Sequence, residues 1–267
     1  MNEIDNDYIK DILFDVSKHI ILPKFKKLKK TDIRFKNNKD VVTVVDIEVE
    51  TKLKKILLDL IPNSLFVGEE SYSLNPKIIK SYNDNVFCWT VDPIDGTKNY
   101  INGLNKFAIM IALTFKNKIL QTWIYKPVNS EFSYAMLNSG TYINKKKFFI
   151  NKKIDISKAI GSISSKYWDN KINIVNKIKN KFKNINSYGC IGLEYIDIVK
   201  EIRHFSILSK LSPWDHIPGI LILKEAGGSI LHFDKTTYNH TKLKNNLVIS
   251  NSKVLQNEII NLIRSKE

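Results

Sequence analysis

Val86-Phe87-Cys88-Trp89-Thr90-Val91 runs directly into Asp92-Pro93-Ile94-Asp95-Gly96-Thr97. An apolar, β-branched and aromatic run of this length reads as a buried strand. A strand that ends in two aspartates, Asp92 and Asp95, delivers both carboxylates to one point at a sheet edge. Pro93 fixes its own φ, and Gly96 permits a backbone turn that most residues resist. Oxygen ligands held this rigidly suit Mg²⁺, a hard cation that favours octahedral oxygen coordination. The same spacing also fits an Asx-turn in which both aspartates satisfy backbone N–H groups. From this stretch alone both readings stay open.

Other acidic segments have the same ambiguity. Residues 65–67 give a short apolar strand closed by Gly68-Glu69-Glu70-Ser71, although adjacent glutamates in a loop are commonly just solvated. Ser212-Pro213-Trp214-Asp215 fits a helix start, with Ser212 as N-cap, Pro213 at the first helical position and Asp215 completing a capping-box-like turn. That helix closes at Glu225-Ala226-Gly227-Gly228, where a glycine supplies the left-handed cap.

Working outward, Ile4, Tyr8, Ile9, Ile12, Leu13, Val16, Ile20 and Ile21 repeat at helical spacing, which predicts an amphipathic helix over residues 4–22. A β-branched segment at 41–45 precedes a second helix at 46–60, stopped by Ile61-Pro62. Strands are expected at 107–115, 119–125 and 131–136, then a turn at Asn138-Ser139-Gly140. Beyond the basic stretch 144–153 the elements alternate: strands at 159–164, 205–208, 229–233 and 247–250, helices at 168–181, 193–202, 213–226 and 252–264. The expectation is a layered α/β (α+β) protein with an N-terminal α+β lobe at 1–147 and a C-terminal α/β lobe at 148–267 that supplies Asp215.

Composition narrows the class. With 267 residues, 43% hydrophobic and 26% charged, the chain reads as an ordinary globular protein. The polar opening at 1–7 shows no signal peptide, no apolar run approaches a bilayer span, and two cysteines, Cys88 and Cys190, make neither a disulfide framework nor a zinc cluster, which points to the cytoplasm. The net charge of +15 invites a polyanion reading, yet the lysines are spread along the chain and carry no nucleic-acid motif. No membrane and no specific nucleic-acid partner are expected.

Taken together, Gly68-Glu69-Glu70-Ser71, Asp92-Pro93-Ile94-Asp95-Gly96-Thr97-Lys98-Asn99-Tyr100, Trp214-Asp215 and Glu225-Ala226-Gly227-Gly228 resemble the inositol monophosphatase family in order and spacing. Asp40-Val41-Val42-Thr43-Val44-Val45-Asp46 resembles the segment that precedes the glutamate motif there, so the likeness covers about residues 36–250. It implies an α-β-α-β-α sugar-phosphatase fold of two closely packed lobes, two or three Mg²⁺ ions per site, and a homodimer. By motif match Glu69, Asp92 and the Ile94 carbonyl would hold one metal, and Asp92, Asp95 and Asp215 a second, with Glu69 sharing a third. Asp46 and Thr97 would help deprotonate the attacking water, with Glu69 counted among the catalytic groups. Gly96 and Thr97 would receive phosphate oxygens, while Lys98, Gly189, Cys190 and Glu194 would contact the substrate. Sensitivity to Li⁺ is a further implication.

The chemistry fits those residue types. A phosphate monoester dianion repels hydroxide, and carboxylates without metal would worsen that repulsion; divalent ions reverse the local field. His216 beside Asp215 reads more readily as a structural group than as a ligand. In inositol-specific members an acidic residue ahead of Trp-Asp contacts the sugar, whereas Phe205-Ser206-Ile207-Leu208-Ser209-Lys210-Leu211 carries no carboxylate. A small phosphorylated metabolite is therefore expected without inositol being required. Histidinol phosphate, fructose 1,6-bisphosphate and 3′-phosphoadenosine 5′-phosphate are alternatives within the class, and a non-catalytic polyanion-binding protein is the alternative outside it.

Overall fold

The computed structural model describes residues 3–36, 41–151, 153–164, 178–241 and 246–265. The helix expected at 168–181 falls mostly outside those residues, as does Asp40.

Two sheets carry the fold. The larger has seven strands in the order β3-β4-β5-β6-β7-β8-β9, from β3 (Leu65–Gly68) and β4 (Phe87–Asp95) through β5 (Ala108–Phe115), β6 (Lys118–Lys126), β7 (Glu131–Met136) and β8 (Gly140–Ile143) to β9 (Lys146–Phe148). The smaller has five, β11-β10-β12-β14-β13, from β10 (Ile160–Ile163), β11 (Asn184–Ile185), β12 (Phe205–Leu208), β13 (Ser229–His232) and β14 (Leu247–Ser250). A small hairpin of β1 (Ile33–Phe35) and β2 (Val41–Thr43) leads into helix α2 (Val44–Leu60).

Strand alternation sorts the core into layers. On β5, Ile109, Ile111 and Leu113 face helices α1 (Asn6–Val16) and α2 (Val44–Leu60), packing with Ile9, Leu13, Val49, Leu53 and Trp89. Ala108 and Met110, one residue out of phase, face α5 (Ile191–Val199) and α6 (Pro213–Glu225). Those two helices also receive Leu208, Leu247 and Ile249 from the second sheet. Phe205, Ile207 and Val248, on its opposite face, pack against Leu255, Ile259 and Ile263 of α7 (Lys253–Arg264). The order of layers is thus helix, sheet, helix, sheet, helix. Both α5 and α6 sit between two sheets, which explains why α6 is buried along nearly its whole length and shows no polar stripe.

Element ends follow local chemistry. The opening helix relaxes to a π-helical turn at Ser17–Ile21 before Pro23, within the span read as one helix. Ser252 caps α7 by accepting from Leu255 N, as its sequence position indicates. Two details differ from the sequence reading. The Gly68-Glu69-Glu70-Ser71 stretch is no loop, since it opens a short helix α3 (Glu69–Leu74). Ser212 sits at the N-cap of α6 in extended geometry, yet its side chain makes no cap hydrogen bond, so the capping box is absent. Among the described residues, no helix is long and apolar enough to cross a membrane.

Candidate active site

Register places the acids. β3 and β4 run parallel with Gly68 opposite Val91, so the residues that follow, Glu69 and Asp92, emerge side by side at the same sheet edge. Between Asp92 and Asp95 the pairing with β5 slips by one residue, and this bulge redirects the strand end so that Asp95 also reaches the cavity. Gly96 then turns at φ +91°, a left-handed conformation, and its Cβ position would lie 2.7 Å from the Lys106 carbonyl. A short helix α4 (Thr97–Ile101) follows.

Asp215 comes from the first turn of α6, on the other side of the cavity. It does not cap that helix; its carboxyl shares a hydrogen bond with Asp92. Glu69, Asp95 and Asp215 line one cavity of about 270 Å³, and Asp92 lies buried behind them. The chain therefore gathers acids from three separate segments.

Their electrostatics show strain. Burial, then the charges of Glu69 and Asp95, push Asp215 up to about 7. Burial pushes Asp95 up to about 6 and, with Glu69, Asp95 and Asp215 as neighbours, lifts Asp92 well above the carboxylate range. Glu70, buried beside Glu69, rises to about 8. A donor set of mutually repelling oxygens fits hard divalent cations, which would neutralise it.

The protein already supplies one cation. Lys36 Nζ lies 3.0 Å from Glu69 Oε1 and 2.7 Å from Glu70 Oε1. Burial would lower its pKa, but the two glutamates hold it above the ordinary lysine value. Asp95 is likewise held: Ile191 N at 3.2 Å, Gly192 N at 2.5 Å and Cys190 Sγ at 3.0 Å all donate to its carboxylate. Among the described residues, no group of three or more His, Cys, Asp or Glu side chains is drawn tightly around one point.

Other candidate residues fall as follows. Asp46, on the first turn of α2, accepts from Thr43 N at 2.9 Å, Thr43 Oγ1 at 2.5 Å and Thr97 Oγ1 at 3.0 Å. Burial brings its pKa up to about 6 against those donors. Thr97 Oγ1 also lies 3.0 Å from the Ile94 carbonyl. Asp92 Oδ1 accepts from Ile94 N at 3.0 Å, so the Asx-turn exists and coexists with the acidic site. Gly189 and Cys190 line the cavity, whereas Lys98 is exposed on α4. Glu194 lines it too, but its carboxylate accepts from Ser162 Oγ, Ser206 Oγ at 3.0 Å, Ser187 Oγ at 2.9 Å and Tyr188 N at 2.8 Å. His216 is buried with its pKa lowered to about 4 by burial; its Nε2 lies 3.1 Å from the Lys210 carbonyl, and Nδ1 3.2 Å from Tyr195 Oη. A carbonyl can only accept, so Nε2 carries a proton, and burial disfavours a second one on Nδ1.

Sequence reasoning missed Lys36 and Glu50. Glu50 is buried on α2 and accepts from Glu70 N and Ser71 N, each at 2.7 Å, and from Ser71 Oγ at 2.6 Å. It holds the start of α3, and with it Glu69; a Cβ on Gly68 would collide with its carboxylate. A charged residue on the apolar stripe of the helix at 46–60 was the available signal.

A model of the inositol monophosphatase family matches residues 8–267. The chain belongs to that family. Among related proteins, it is 28% identical over 214 residues to "Fructose-1,6-bisphosphatase/inositol-1-monophosphatase" of Aquifex aeolicus, covering 78% of each chain. It is also 28% identical over 234 residues to "Nus factor SuhB" of Escherichia coli, covering 85% of this chain and 84% of that one. The crystal structure of an IMPase/NADP phosphatase complexed with Mg²⁺ and phosphate superimposes with a TM-score of 0.80 at 19% identity, over 96% of this chain and 93% of the other. As an inositol monophosphatase family member, the protein is a phosphomonoester hydrolase with the family fold.

Proposed function

We propose that this protein hydrolyses the phosphate monoester of a small alcohol using two or three Mg²⁺ ions held by Glu69, Asp92, Asp95, Asp215 and the Ile94 carbonyl. The supporting observation is the pairing of Asp92 with Asp215 across the cavity, within the field of Glu69 and Asp95. Bound divalent ions would neutralise the dianion and activate a water.

The chain's own groups would do the rest. Thr97 Oγ1, held by Asp46 Oδ1, can accept a hydrogen bond from the attacking water while passing its own proton toward Asp46. An Asp46 carboxyl pushed up to about 6 is basic enough to take that proton near neutrality. The Gly96 and Thr97 N–H groups at the start of α4 would receive phosphate oxygens. Gly189 and Cys190 would border the alcohol, Lys98 would draw anions from solution, and Glu194 would shape the wall by fixing Ser162 and Ser187. A homodimer, as the resemblance implies, and a cytoplasmic location, as the two unpaired cysteines suggest, complete the reading.

Release of inorganic phosphate from a panel of esters tests it. Turnover with Mg²⁺, its loss in EDTA and its loss in Asp95→Asn with the secondary structure retained by circular dichroism are the expected results. Full activity in EDTA or in that variant refutes the site. The net charge of +15 and the likeness to a Nus factor motivate a second reading, polyanion binding without catalysis. The retained acidic set favours hydrolysis, since a site freed from catalysis has no reason to keep repelling carboxylates together.

A further inference from the structure

One wall of the cavity is the 187–190 loop, which has little of its own to hold it in place. Ser187, Gly189 and Cys190 line the cavity, and the first two are exposed. Gly189 stands at φ +66°, a conformation that leaves the backbone free to turn. Tyr188, the one large side chain of the loop, is outside the cavity lining and packs beside the core under α5.

Three side chains from elsewhere meet on Tyr188. Lys106 Nζ lies over its ring, 4.4 Å from the centroid, and the Arg203 guanidinium carbon lies 4.2 Å from it. The Tyr188 hydroxyl donates to Asp197 Oδ2 at 2.8 Å. Lys106 belongs to the segment between α4 and β5, Asp197 to α5, and Arg203 to the turn before β12. One ring therefore gathers parts of the chain that are far apart in sequence. Asn99 of α4 ties the same place through the backbone, donating to the carbonyls of Lys106 at 2.7 Å and Tyr188 at 2.8 Å.

Arg203 is the stronger of the two cations. It is 1% exposed, its Nη2 donates to the Asn186 carbonyl, and its Nε and Nη1 have no hydrogen-bond partner among the described residues. A buried guanidinium short of acceptors is costly unless its charge is balanced in another way. The π face of Tyr188 does this, with the Asp197 carboxylate within reach of the same charge. Cation–π attraction is larger for a desolvated cation than for an exposed one, so Lys106, which is exposed, adds a weaker hold.

We propose that Tyr188 is a positioning residue: clasped by Arg203 and Lys106, it sets the place of the 187–190 loop and so the wall against which the alcohol part of the ester packs. The inference rests on the phosphatase reading above and assigns part of its grip on the alcohol to a residue outside the cavity lining.

Two readouts on wild type, Tyr188→Leu, Tyr188→Phe and Lys106→Met test it. Amide hydrogen exchange reads the loop without any substrate. The Tyr188 and Gly189 amides donate to Glu194 Oε1 and Ser187 Oγ. They should exchange at least about fivefold faster in Tyr188→Leu, and close to the wild-type rate in Tyr188→Phe, which keeps the ring. Kinetics in Mg²⁺ then compares myo-inositol 1-phosphate, whose alcohol is large, with methyl phosphate, whose alcohol is small. Tyr188→Leu should raise KM for the inositol ester about tenfold, and Lys106→Met about threefold, as one exposed cation–π contact allows. On methyl phosphate each rise should be at most about a third as large, with kcat within about threefold throughout. Tyr188→Phe should stay close to wild type on both esters. Lys106→Met changes only an exposed side chain, so the comparison stands even if Tyr188→Leu fails to fold. Equal KM rises on the two esters, or a loss confined to kcat, would make Tyr188 a structural residue only and overturn the proposal. Unchanged exchange in Tyr188→Leu would overturn it as well. Hydrolysis of neither ester by wild type refutes the phosphatase reading and the claim on the alcohol with it, while the exchange rates still decide whether the ring holds the loop.

Discussion

The acids at the cavity should make the metal-free protein less stable than a variant that lacks one of them. Burial and its acidic neighbours hold Asp215 at about 7, against an ordinary aspartate value of 3.8. A carboxyl raised in this way keeps its proton in the folded chain after the unfolded chain has released it. Stability is then complete below about pH 4, falls as pH climbs toward 7, and levels off above. Three pH units correspond to about 4 kcal/mol. Asp215 keeps part of its surface on the cavity, so solvent screening trims this to about 2–3 kcal/mol. In EDTA at pH 8, Asp215→Asn should therefore melt about 5–10 °C above wild type, and at pH 4.5 the gap should nearly close. Millimolar Mg²⁺ should close the gap at pH 8, since ligand at a hundred times its Kd adds about 2.7 kcal/mol to wild type alone. Thermal unfolding followed by circular dichroism reads all three conditions. If the variant melts below wild type in EDTA at pH 8, or wild type shows no fall between pH 5 and 8, the carboxylates are not under the mutual strain described.

Three other perturbations follow from the same geometry. Gly68→Ala drives a Cβ into the Glu50 carboxylate and should cost at least ~2 kcal/mol in urea unfolding together with most activity; a neutral effect would mean that Glu50 does not hold α3. Lys36→Met removes the ammonium from Glu69 and Glu70, so calorimetric titration should show tighter divalent binding, whereas weaker binding would make Lys36 a helper of the ion and not its competitor. Gly96→Ala, forced to φ +91°, should cost about 1–2 kcal/mol and slow phosphate release by moving Thr97; unchanged kinetics would detach that turn from the chemistry.

How much was legible follows from where the determinants lie along the chain. The strand ending at Asp92 and Asp95, the helix opened by Pro213, and the apolar run that becomes β5 are local patterns, and they appear as read. The pairing of Thr97 with Asp46 was legible only through family likeness, because the two are brought together by β4 and α2 packing and not by spacing. Asp215 shows the opposite case. Its sequence position favoured a cap, and the carboxyl of Asp92 across the cavity claimed it instead. Lys36 and Glu50 left little trace, since a single charge on a hairpin loop or helix has no periodicity to betray its partner. Glu225, part of a motif shared with the family, anchors the β7–β8 turn through Asn138 N and Gly140 N, both at 3.0 Å.

Binding of Mn²⁺ followed by electron paramagnetic resonance, in wild type and Asp92→Asn, addresses the ion site without depending on any substrate. The acidic cavity should hold Mn²⁺ that Mg²⁺ displaces, and loss of the Asp92 carboxylate should weaken that binding at least tenfold. Equal Mn²⁺ binding by the two proteins would contradict the assembly of a metal centre from these residues.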